Sequence, residues 1–492
     1  MKKIFNYGAI ASLILIIASC SKDYLEVSPT QFLTQEQVAE ASVNNPDVIA
    51  GSLAGIYSLT FNTGTGGTTG HDDFGQKGYD IYSDFLCSDM ALSLSTYGWY
   101  RTLTELTVTT DFTQQDNYQP WRYYYRIIRS ANTVIAALGG NDAVPELEAN
   151  KYIMGQTKAM RAHSYFYLAQ LYADKYDPAH PILPIYNDPS QGSQPKSTTA
   201  DVYAFITKDL TDAISLLDGF DRAAKNEINV YVAKGILAYV YAAMGDKNTE
   251  VVTLTNDIIT NGGFPLLSAA ELTGGFNDVN TPSWMWGFDI TLDNGLDLVS
   301  WWGQMDIFTY SYAWAGDRKT IDQGLFDAIP ADDVRKGQFL DNPASGYNLS
   351  PYNKFYDSGR TIGGQRNITT DYIFMRIEEM YLLNAEASAR GTNEIGARNM
   401  LKTLLQERLP DVTYVDGLSG QALLDEIYLQ TRIEFWGEGK SYLAMKRNKA
   451  TIVRGTNHLS LVGQPISYDD NRLTFEIPDS EIQNNPLIND QN

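Results

Sequence analysis

The sequence predicts a mainly α-helical protein in which helix pairs stack into a scaffold and long irregular insertions interrupt the stack. The strongest observation is a helix over residues 155–173, where small residues and one ring return every three or four positions along one face. They are Gly155, Ala159, Ala162, Phe166, Ala169 and Ala173. A second helix, over residues 230–244, repeats the pattern with Tyr231, Gly235, Ala238 and Ala242. Helix pairs that cross through small residues are typical of tetratricopeptide-type stacking.

The helix over 155–173 is apolar on nearly every face, which predicts that neighbouring helices surround it. Its length would also fit a membrane span, but Lys158, Arg161 and His163 interrupt the apolar run and argue against that interpretation. We therefore expect it to lie at the centre of the helical assembly.

Apolar periodicity predicts further helices along the chain. In order, they cover residues 34–42, 51–59, 119–138, 199–217, 250–260, 373–390, 394–409 and 421–435. Their irregular spacing differs from a plain repeat array, so we expect a divergent stack with large insertions, which is where binding sites usually lie. In the longest insertion, Trp284, Trp286 and Phe288 begin a period-two pattern that continues to Leu292 and predicts one face of a strand.

The start of the chain predicts export. Lys2 and Lys3 precede a short apolar run, and the run ends at Ile17-Ala18-Ser19-Cys20, which resembles a lipobox. We expect a signal peptide over residues 1–19 and a lipidated Cys20; an ordinary secretory signal with a chance cysteine is the alternative. The only other cysteine, Cys87, is expected to be a buried apolar side chain.

Composition and motifs exclude several classes of function. The formal charge of −22 does not attract nucleic acid or anionic lipid head groups. The sequence has no Walker-type phosphate loop, His-Glu-x-x-His or Gly-x-Ser-x-Gly motif, so we predict no cofactor, no metal and no catalytic residues. Several acids between residues 71 and 89 could bind a hard cation by residue type, but their spacing favours a hydrogen-bonded loop. They are Asp72, Asp73, Asp80, Asp84 and Asp89, next to His71.

Five segments resemble, in order, the motifs of the SusD/RagB family. They are residues 121–132 (WRYYYRIIRSAN), 161–168 (RAHSYFYL), 376–387 (RIEEMYLLNAEA), 432–439 (RIEFWGEG) and 475–486 (beginning FEIP). One departure is Lys440, with Ala444 and Met445, where the family more often has Arg and Asp-Leu; we expect it to alter a local ion pair and leave the fold intact.

The resemblance implies a surface-exposed outer-membrane lipoprotein with four divergent tetratricopeptide-like helix pairs. It also implies a partner, a TonB-dependent transporter barrel of the SusC type over which the protein sits as a lid, and capture of glycan for import without catalysis. Some relatives bind peptides, so a peptide-binding lipoprotein is the alternative, and a surface glycosidase, which needs only two carboxylates, is the third. We divide the mature chain into a region 20–265 and a region 266–492 that carries the ligand-facing insertion.

The charged residues of the motifs could be mistaken for a catalytic set. They are Arg376, Glu378, Glu379, Glu386, Arg432, Glu434 and Glu438. Because they lie on or beside predicted helices, we interpret them as acid–base pairs that hold the helices in register.

Loop aromatics are the candidates for glycan contact, because sugars present flat C–H faces that stack on rings. Trp301 and Trp302 lie between glycines without a periodic pattern, and Trp99 and Tyr100 lie in a Ser/Thr/Gly segment. These four rings, with Trp314 and Tyr310, form the predicted ligand site. Polar partners of lower rank are Asn294, Asp297 and Gln304. The alternative is that Trp301 and Trp302 pack under the loop or against the transporter.

Overall fold

The computed structural model describes residues 37–38, 40–41 and 45–492, so the predicted signal peptide and Cys20 lie outside the described residues. The described residues of the predicted helix 34–42 are helical. Helices dominate the described chain, as predicted. Their bounds are α1 Pro46–Ser58, α2 Gln76–Leu86, α3 Arg101–Thr104, α4 Gln115–Ala137, α5 Glu148–Tyr172, α6 Thr199–Leu216, α7 Val230–Met244, α8 Asn248–Asn261, α9 Trp301–Met305, α10 Tyr312–Ala315, α11 Gln323–Ala328, α12 Ile377–Arg390, α13 Glu394–Leu405, α14 Gly420–Glu434, α15 Ser441–Asn448 and α16 Asp479–Asn484.

Short strands and 3-10 turns fill the segments between the helices. The strands are β1 Met90–Ser95, β2 Pro181–Pro184, β3 Lys196–Thr198, β4 Trp284–Phe288, β5 Asp317–Ile321, β6 Tyr372–Arg376, β7 Thr451–Val453 and β8 Pro465–Ser467. They pair as antiparallel ribbons: β1 with β5, β2 with β3, β4 with β6 and β7 with β8. The 3-10 turns are Glu271–Thr273, Leu292–Asn294, Val334–Gln338, Thr413–Gly417 and Asn471–Leu473.

Successive long helices pack side by side. Helix α5 lies between α4 and α6, α7 contacts α6 and α8, and α12 packs on α8, α13 and α14. This order agrees with a stack of helices, while its grouping into four tetratricopeptide-like pairs stays a prediction. The division of the chain after residue 265 also stays a prediction; the main core draws side chains from both regions, from Ile49 to Ile488.

The predicted central helix is buried as expected. Every residue of α5 from Ile153 to Tyr172 is buried. The face of α5 that carries small residues lets α6 pack closely against it. A Cβ added to Gly155 would lie only 2.8 Å from Cγ of Leu217, at the end of α6. Gly235 in α7 has the same role, because an added Cβ would lie 2.7 Å from Sδ of Met375.

Two predicted elements need correction. The helix predicted over 373–390 begins only at Ile377, because residues 372–376 form β6 and pair with β4, with Arg376 at the N-cap of α12. The period-two pattern from Trp284 also ends early: β4 stops at Phe288, and Leu292 is 67% exposed in a 3-10 turn. Residues 284–287 are buried on both faces of β4, so the alternation did not mark one buried face.

No helix in the described ranges of the chain combines the length and the apolar character that a membrane crossing requires. Cys87 is a buried free thiol, as predicted.

Candidate functional site

The charged motif residues form buried ion pairs, which confirms their structural interpretation. Arg376, at the start of α12, contacts Glu378 at 3.1 Å, Glu434 at 2.7 Å and Glu438 at 2.8 Å. Glu434, the last residue of α14, also accepts from Arg408 at 2.7 Å. These contacts join α12 and α14, so the carboxylates are committed to cations inside the protein.

The remaining motif charges are paired too. Arg432 contacts Asp89 at 2.7 Å, Glu386 accepts from Arg447 at 3.0 Å, and Lys440 lies 3.7 Å from Glu379. Lys440 therefore keeps an acidic partner at the position where it departs from the family pattern. Burial would lower the pKa of Lys440, but the nearby Glu379 raises it well above its usual value.

The acidic segment that begins at His71 is hydrogen-bonded in the protein interior. Asp73 accepts from the backbone N–H groups of Gly66 at 2.7 Å and Thr68 at 3.0 Å, and Asp72 accepts from Tyr82 Oη at 2.8 Å. In the part of the chain that the structure describes, no group of three His, Cys, Asp or Glu side chains is arranged to hold a metal ion.

An aromatic cluster lies where β1 ends and β5 begins. The antiparallel register places Ser95 opposite Asp317, so the segments on either side of this ribbon meet. The buried carboxylate of Asp317 accepts from the backbone N–H of Tyr97 at 2.7 Å and of Trp99 at 3.0 Å. Charge-assisted hydrogen bonds of this kind hold a loop firmly. Two segments about 220 residues apart in the chain are thereby fixed against each other.

The rings of this cluster are in direct contact. His71 stacks on Trp99 with 5.1 Å between ring centroids and an interplanar angle of 5°. Nδ1 of His71 lies 2.6 Å from Oη of Tyr312. Tyr312 meets Tyr97 edge-on at 5.4 Å and Trp99 at 5.8 Å. Tyr97 is 60% exposed, and His71 and Trp99 are half-buried.

A second pair of rings lies at the short helix α10, which also carries Tyr312. Tyr310 and Trp314 lie 5.4 Å apart, and Tyr310 is 37% exposed. Ser311 caps α10 by accepting from the Trp314 N–H at 3.0 Å. The guanidinium of Arg366 lies 5.4 Å from the Tyr310 ring and also pairs with Asp297 at 2.9 Å. Together, His71, Tyr97, Trp99, Tyr310, Tyr312 and Trp314 form what we call the aromatic cluster.

Trp301 and Trp302 lie elsewhere, and the expectation that they occupy an irregular loop is wrong. They begin α9, which is capped by Ser300, and only 2% and 1% of their surfaces are exposed. Trp301 packs edge-on against Phe355 at 4.6 Å, and Nε1 of Trp302 donates to the Asp371 carbonyl at 3.3 Å. Tyr100 is also buried, at 2%. A ring enclosed in the core has no free face for a sugar.

The polar residues that we ranked lower also have structural partners. Gln304 is buried and accepts from Nζ of Lys319 at 2.7 Å, while Asn294 caps a turn through Thr291. Nζ of Lys319 lies 5.0 Å from the buried Tyr100 ring, and burial lowers the pKa of Lys319 to about 7. Of these three polar residues, Asp297 is the one connected to an exposed ring, because it pairs with Arg366, which lies over Tyr310.

Sequence reasoning missed three members of the cluster. Tyr97 lies in the same Ser/Thr/Gly segment as Trp99, so its position could have been noted with Trp99. Tyr312 lies between Tyr310 and Trp314, which were both named. His71 had no local signal, because its contacts with Trp99 and Tyr312 arise only in the fold.

The helical scaffold thus has its motif carboxylates paired in the interior and partly exposed rings gathered near the end of the β1–β5 ribbon. Comparison with known proteins identifies its family. A family model described as "Starch-binding associating with outer membrane" matches residues 23–241, and the model of the SusD family matches residues 340–492. The chain belongs to the SusD/RagB family, whose members are generally glycan-binding proteins of nutrient uptake.

Individual relatives agree with this family. A SusD-like protein of Formosa agariphila is 26% identical over 187 residues, which span 38% of this chain and 32% of that relative. The match thus covers about a third of the relative's length. A SusD-like carbohydrate binding protein from Bacteroides vulgatus is 24% identical, with 90% of this chain and 96% of that chain covered and a TM-score of 0.72. A SusD superfamily protein from Bacteroides thetaiotaomicron has 24% identity, 91% and 99% coverage and a TM-score of 0.75. The solved structures share the fold.

Proposed function

We propose that this protein is a non-catalytic surface lipoprotein that binds glycan and delivers it to a TonB-dependent transporter barrel of the SusC type. The observation that carries the proposal is the aromatic cluster around Trp99, in which Tyr97 and Tyr310 are exposed and His71, Trp99 and Trp314 are half-buried. Its rings offer apolar faces for sugar C–H groups, and Arg366 and Asp297 beside Tyr310 offer hydrogen-bonding groups for hydroxyls. The family, whose members generally bind carbohydrate, supports the same ligand class.

The ligand site in this proposal is smaller than the one predicted from sequence. Trp99, Tyr310 and Trp314 remain, and the half-buried His71 and the exposed Tyr97 join them. Tyr312 is buried, with 8% of its surface exposed, and supports the rings of His71 and Trp99 by packing against them. Trp301, Trp302 and Tyr100 leave the site because they are buried. Anchoring through a lipid on Cys20, an outer-membrane location and the transporter partner belong to the proposal and are supported by the lipobox resemblance and by the family.

The test is isothermal titration of the mature chain against a panel of polysaccharides and a panel of peptides. We expect binding to a polysaccharide, and loss of one ring in Trp99→Ala or Tyr310→Ala should cost on the order of 1–3 kcal/mol, by analogy with stacking of bases on rings. The matched control is Tyr414→Ala, which removes an exposed tyrosine outside the cluster, 44% exposed.

The other outcomes separate the alternatives. Binding to peptides in place of polysaccharides would favour the peptide-binding lipoprotein, and release of reducing sugar from a bound glycan would favour the glycosidase. Full affinity in both ring variants would overturn the site. Cross-linking in intact cells, followed by mass spectrometry, tests the partner: the absence of any TonB-dependent barrel among the cross-linked proteins would contradict delivery to one.

A further inference from the structure

A cleft beside α4 holds a row of cations in a chain dominated by acids. The chain has 59 acidic and 37 basic residues, yet Arg122, Arg126 and Arg129 all lie exposed on one face of α4. Their spacing of four and three residues separates them by about 6 and 4.5 Å along the helix axis. We call these three residues the arginine row.

The arginine row is unusual because none of its three side chains pairs with an acidic residue of the described chain. Arg122 donates to Oη of Tyr118 at 2.6 Å. The side chains of Arg126 and Arg129 form no hydrogen bond and no ion pair with any residue that the structure describes. Most other surface cations have a partner within the chain; Lys208, for example, lies 2.8 Å from Asp212. Although acids are in excess in the chain, these three adjacent cations face one cleft and are available to pair with an anionic ligand.

The cleft has two further walls. They are the segment after β2, at Tyr186–Gln191, and the C-terminal helix α16, through Ser480, Glu481 and Asn484. The open cleft has a volume of about 820 Å³, within the range of roughly 300–1,000 Å³ typical of small-ligand sites. A protein partner would instead need a broad surface of about 800 Å² on each side. A small ligand such as a short oligosaccharide therefore fits the cleft better than the surface of a protein.

Tyrosine rings alternate with the cations along this wall. Tyr118 and Tyr125 lie on α4, and Tyr186 meets Tyr125 edge-on at 5.9 Å from the opposite wall. All three rings are half-buried, so part of each faces the cleft. The combination of rings and guanidinium groups suits a ligand that carries both apolar sugar faces and anionic groups.

Two carboxylates also line the cleft, but each already has partners. Glu481 accepts from Nε1 of Trp121 at 3.4 Å and from Nδ2 of Asn485 at 2.8 Å. Asp188 accepts from the backbone N–H of Ser190 at 2.8 Å, and hydrogen bonds from Ser190 lower its pKa. Neither carboxylate forms an ion pair with the arginine row. The guanidinium groups of the row are therefore free to pair with an anionic ligand.

We propose that this cleft is a second binding site, specific for an acidic oligosaccharide whose carboxylate or sulfate groups pair with the arginine row. Guanidinium forks match both anions in geometry. The site shares no residue with the aromatic cluster, and the proposal does not rest on glycan binding there.

The test is isothermal titration of the mature chain with three probes: a short oligogalacturonate, its fully methyl-esterified form and a sulfated galactan oligosaccharide. The methyl ester keeps the sugar backbone and removes the charge. We expect at least one anionic probe to bind, the ester not to bind, and added NaCl to weaken the binding. The double variant Arg126→Gln/Arg129→Gln should lose on the order of tenfold or more in affinity.

A matched control removes two surface charges elsewhere. Lys208→Gln/Lys402→Gln changes the net charge equally, and both lysines already pair with acids. We expect this control and Trp99→Ala to keep the affinity for the anionic probe. The proposal is overturned if neither anionic probe binds, if the ester binds as well, if the control loses as much affinity as the arginine variant, or if Trp99→Ala alone abolishes the binding. Binding to phosphatidylglycerol vesicles without binding to either anionic sugar would also overturn it.

Discussion

Arg376 donates two parallel hydrogen bonds to the carboxylate of Glu438 inside the protein, from Nε to Oε2 at 2.8 Å and from Nη2 to Oε1 at 3.0 Å. Both side chains are buried. Burial alone would raise the pKa of Glu438, but Arg376 and Lys354 lower it to about 2. This pair joins the N-terminus of α12 to the segment after α14, so two distant motifs are held in one arrangement.

We predict that Glu438→Gln strongly destabilises the fold. The substitution keeps the side-chain shape and leaves Arg376 and Lys354 undercompensated in the interior. Loss of one partner from a buried pair typically costs about 3–5 kcal/mol in the free energy of unfolding. Urea denaturation measures this change. As a control, Lys402→Gln breaks an exposed pair with Asp416 and should cost less than about 1 kcal/mol; equal effects of the two substitutions would contradict the prediction.

Trp301→Ala should affect stability and leave ligand affinity of the folded protein unchanged. The ring is buried against Phe355 and Trp302, so its removal leaves a cavity. Truncation of a buried tryptophan typically costs about 3–5 kcal/mol. Thermal denaturation and titration with the bound glycan check the two parts. A variant that melts with the parent and binds glycan weakly would return Trp301 to the ligand site.

Close packing of the small-residue faces predicts that Ala162→Leu and Ala238→Leu destabilise the scaffold. Both alanines are fully buried, and overpacking a tight core typically costs about 1–3 kcal/mol. The matched control is Ala136→Leu on α4, where the side chain is exposed. Melting temperatures measure all three. If the buried and exposed substitutions shift the melting temperature equally, these faces are not the close-packed ones.

His163 should make the protein sensitive to acid. Burial, together with the charge of Lys440, lowers the pKa of His163 from 6.5 to about 3. The unfolded chain therefore binds a proton that the folded chain does not, and stability is lost as the pH falls from 6.5 towards 3. The loss attributable to His163 is about 1.4 kcal/mol per pH unit in this window.

The measurement is the free energy of unfolding of the parent and of His163→Phe between pH 7 and 4. The ring packs between Tyr167 and Trp286, where phenylalanine can replace it. The parent should lose stability relative to the variant as the pH falls. Parallel pH profiles would show that His163 does not contribute the loss.

Anchoring can be tested at Cys20. Because Ile17-Ala18-Ser19-Cys20 resembles a lipobox, Cys20→Ala should prevent lipidation. Metabolic labelling with a clickable fatty acid measures this, and Cys87→Ala is the control because that thiol is buried in the fold. Undiminished label on the Cys20 variant would contradict the anchor.

Some of this molecule could be predicted because the signals are local. The burial of α5 follows from apolar residues on nearly every face, and the bounds of α7 follow from Asn229, whose side chain caps the helix, and Gly245, which ends it in the left-handed region. That the motif charges pair with one another could also be predicted, because a carboxylate buried between packed helices needs a cation beside it.

The ligand surface could not be predicted in detail because distant contacts create it. Trp301 and Trp99 both lie in segments without clear periodicity. Trp301 is buried because Ser300 starts a short helix and Phe355, 54 positions further along, covers the ring. Trp99 stays half-exposed because Asp317 holds its backbone at the end of the β1–β5 ribbon. The residues next to Trp301 and Trp99 in the sequence do not show that the first ring is buried and the second is partly exposed.

The sequence alone thus determined the helical class, the central helix, the structural role of the motif charges and the family. These depend on spacings within a few helical turns or on contiguous motifs. Only the tertiary structure decided which rings face solvent and that Arg126 and Arg129 face a cleft without an acidic partner. Exposure and charge pairing are set by packing between segments up to hundreds of residues apart, and the sequence around each side chain does not contain that information.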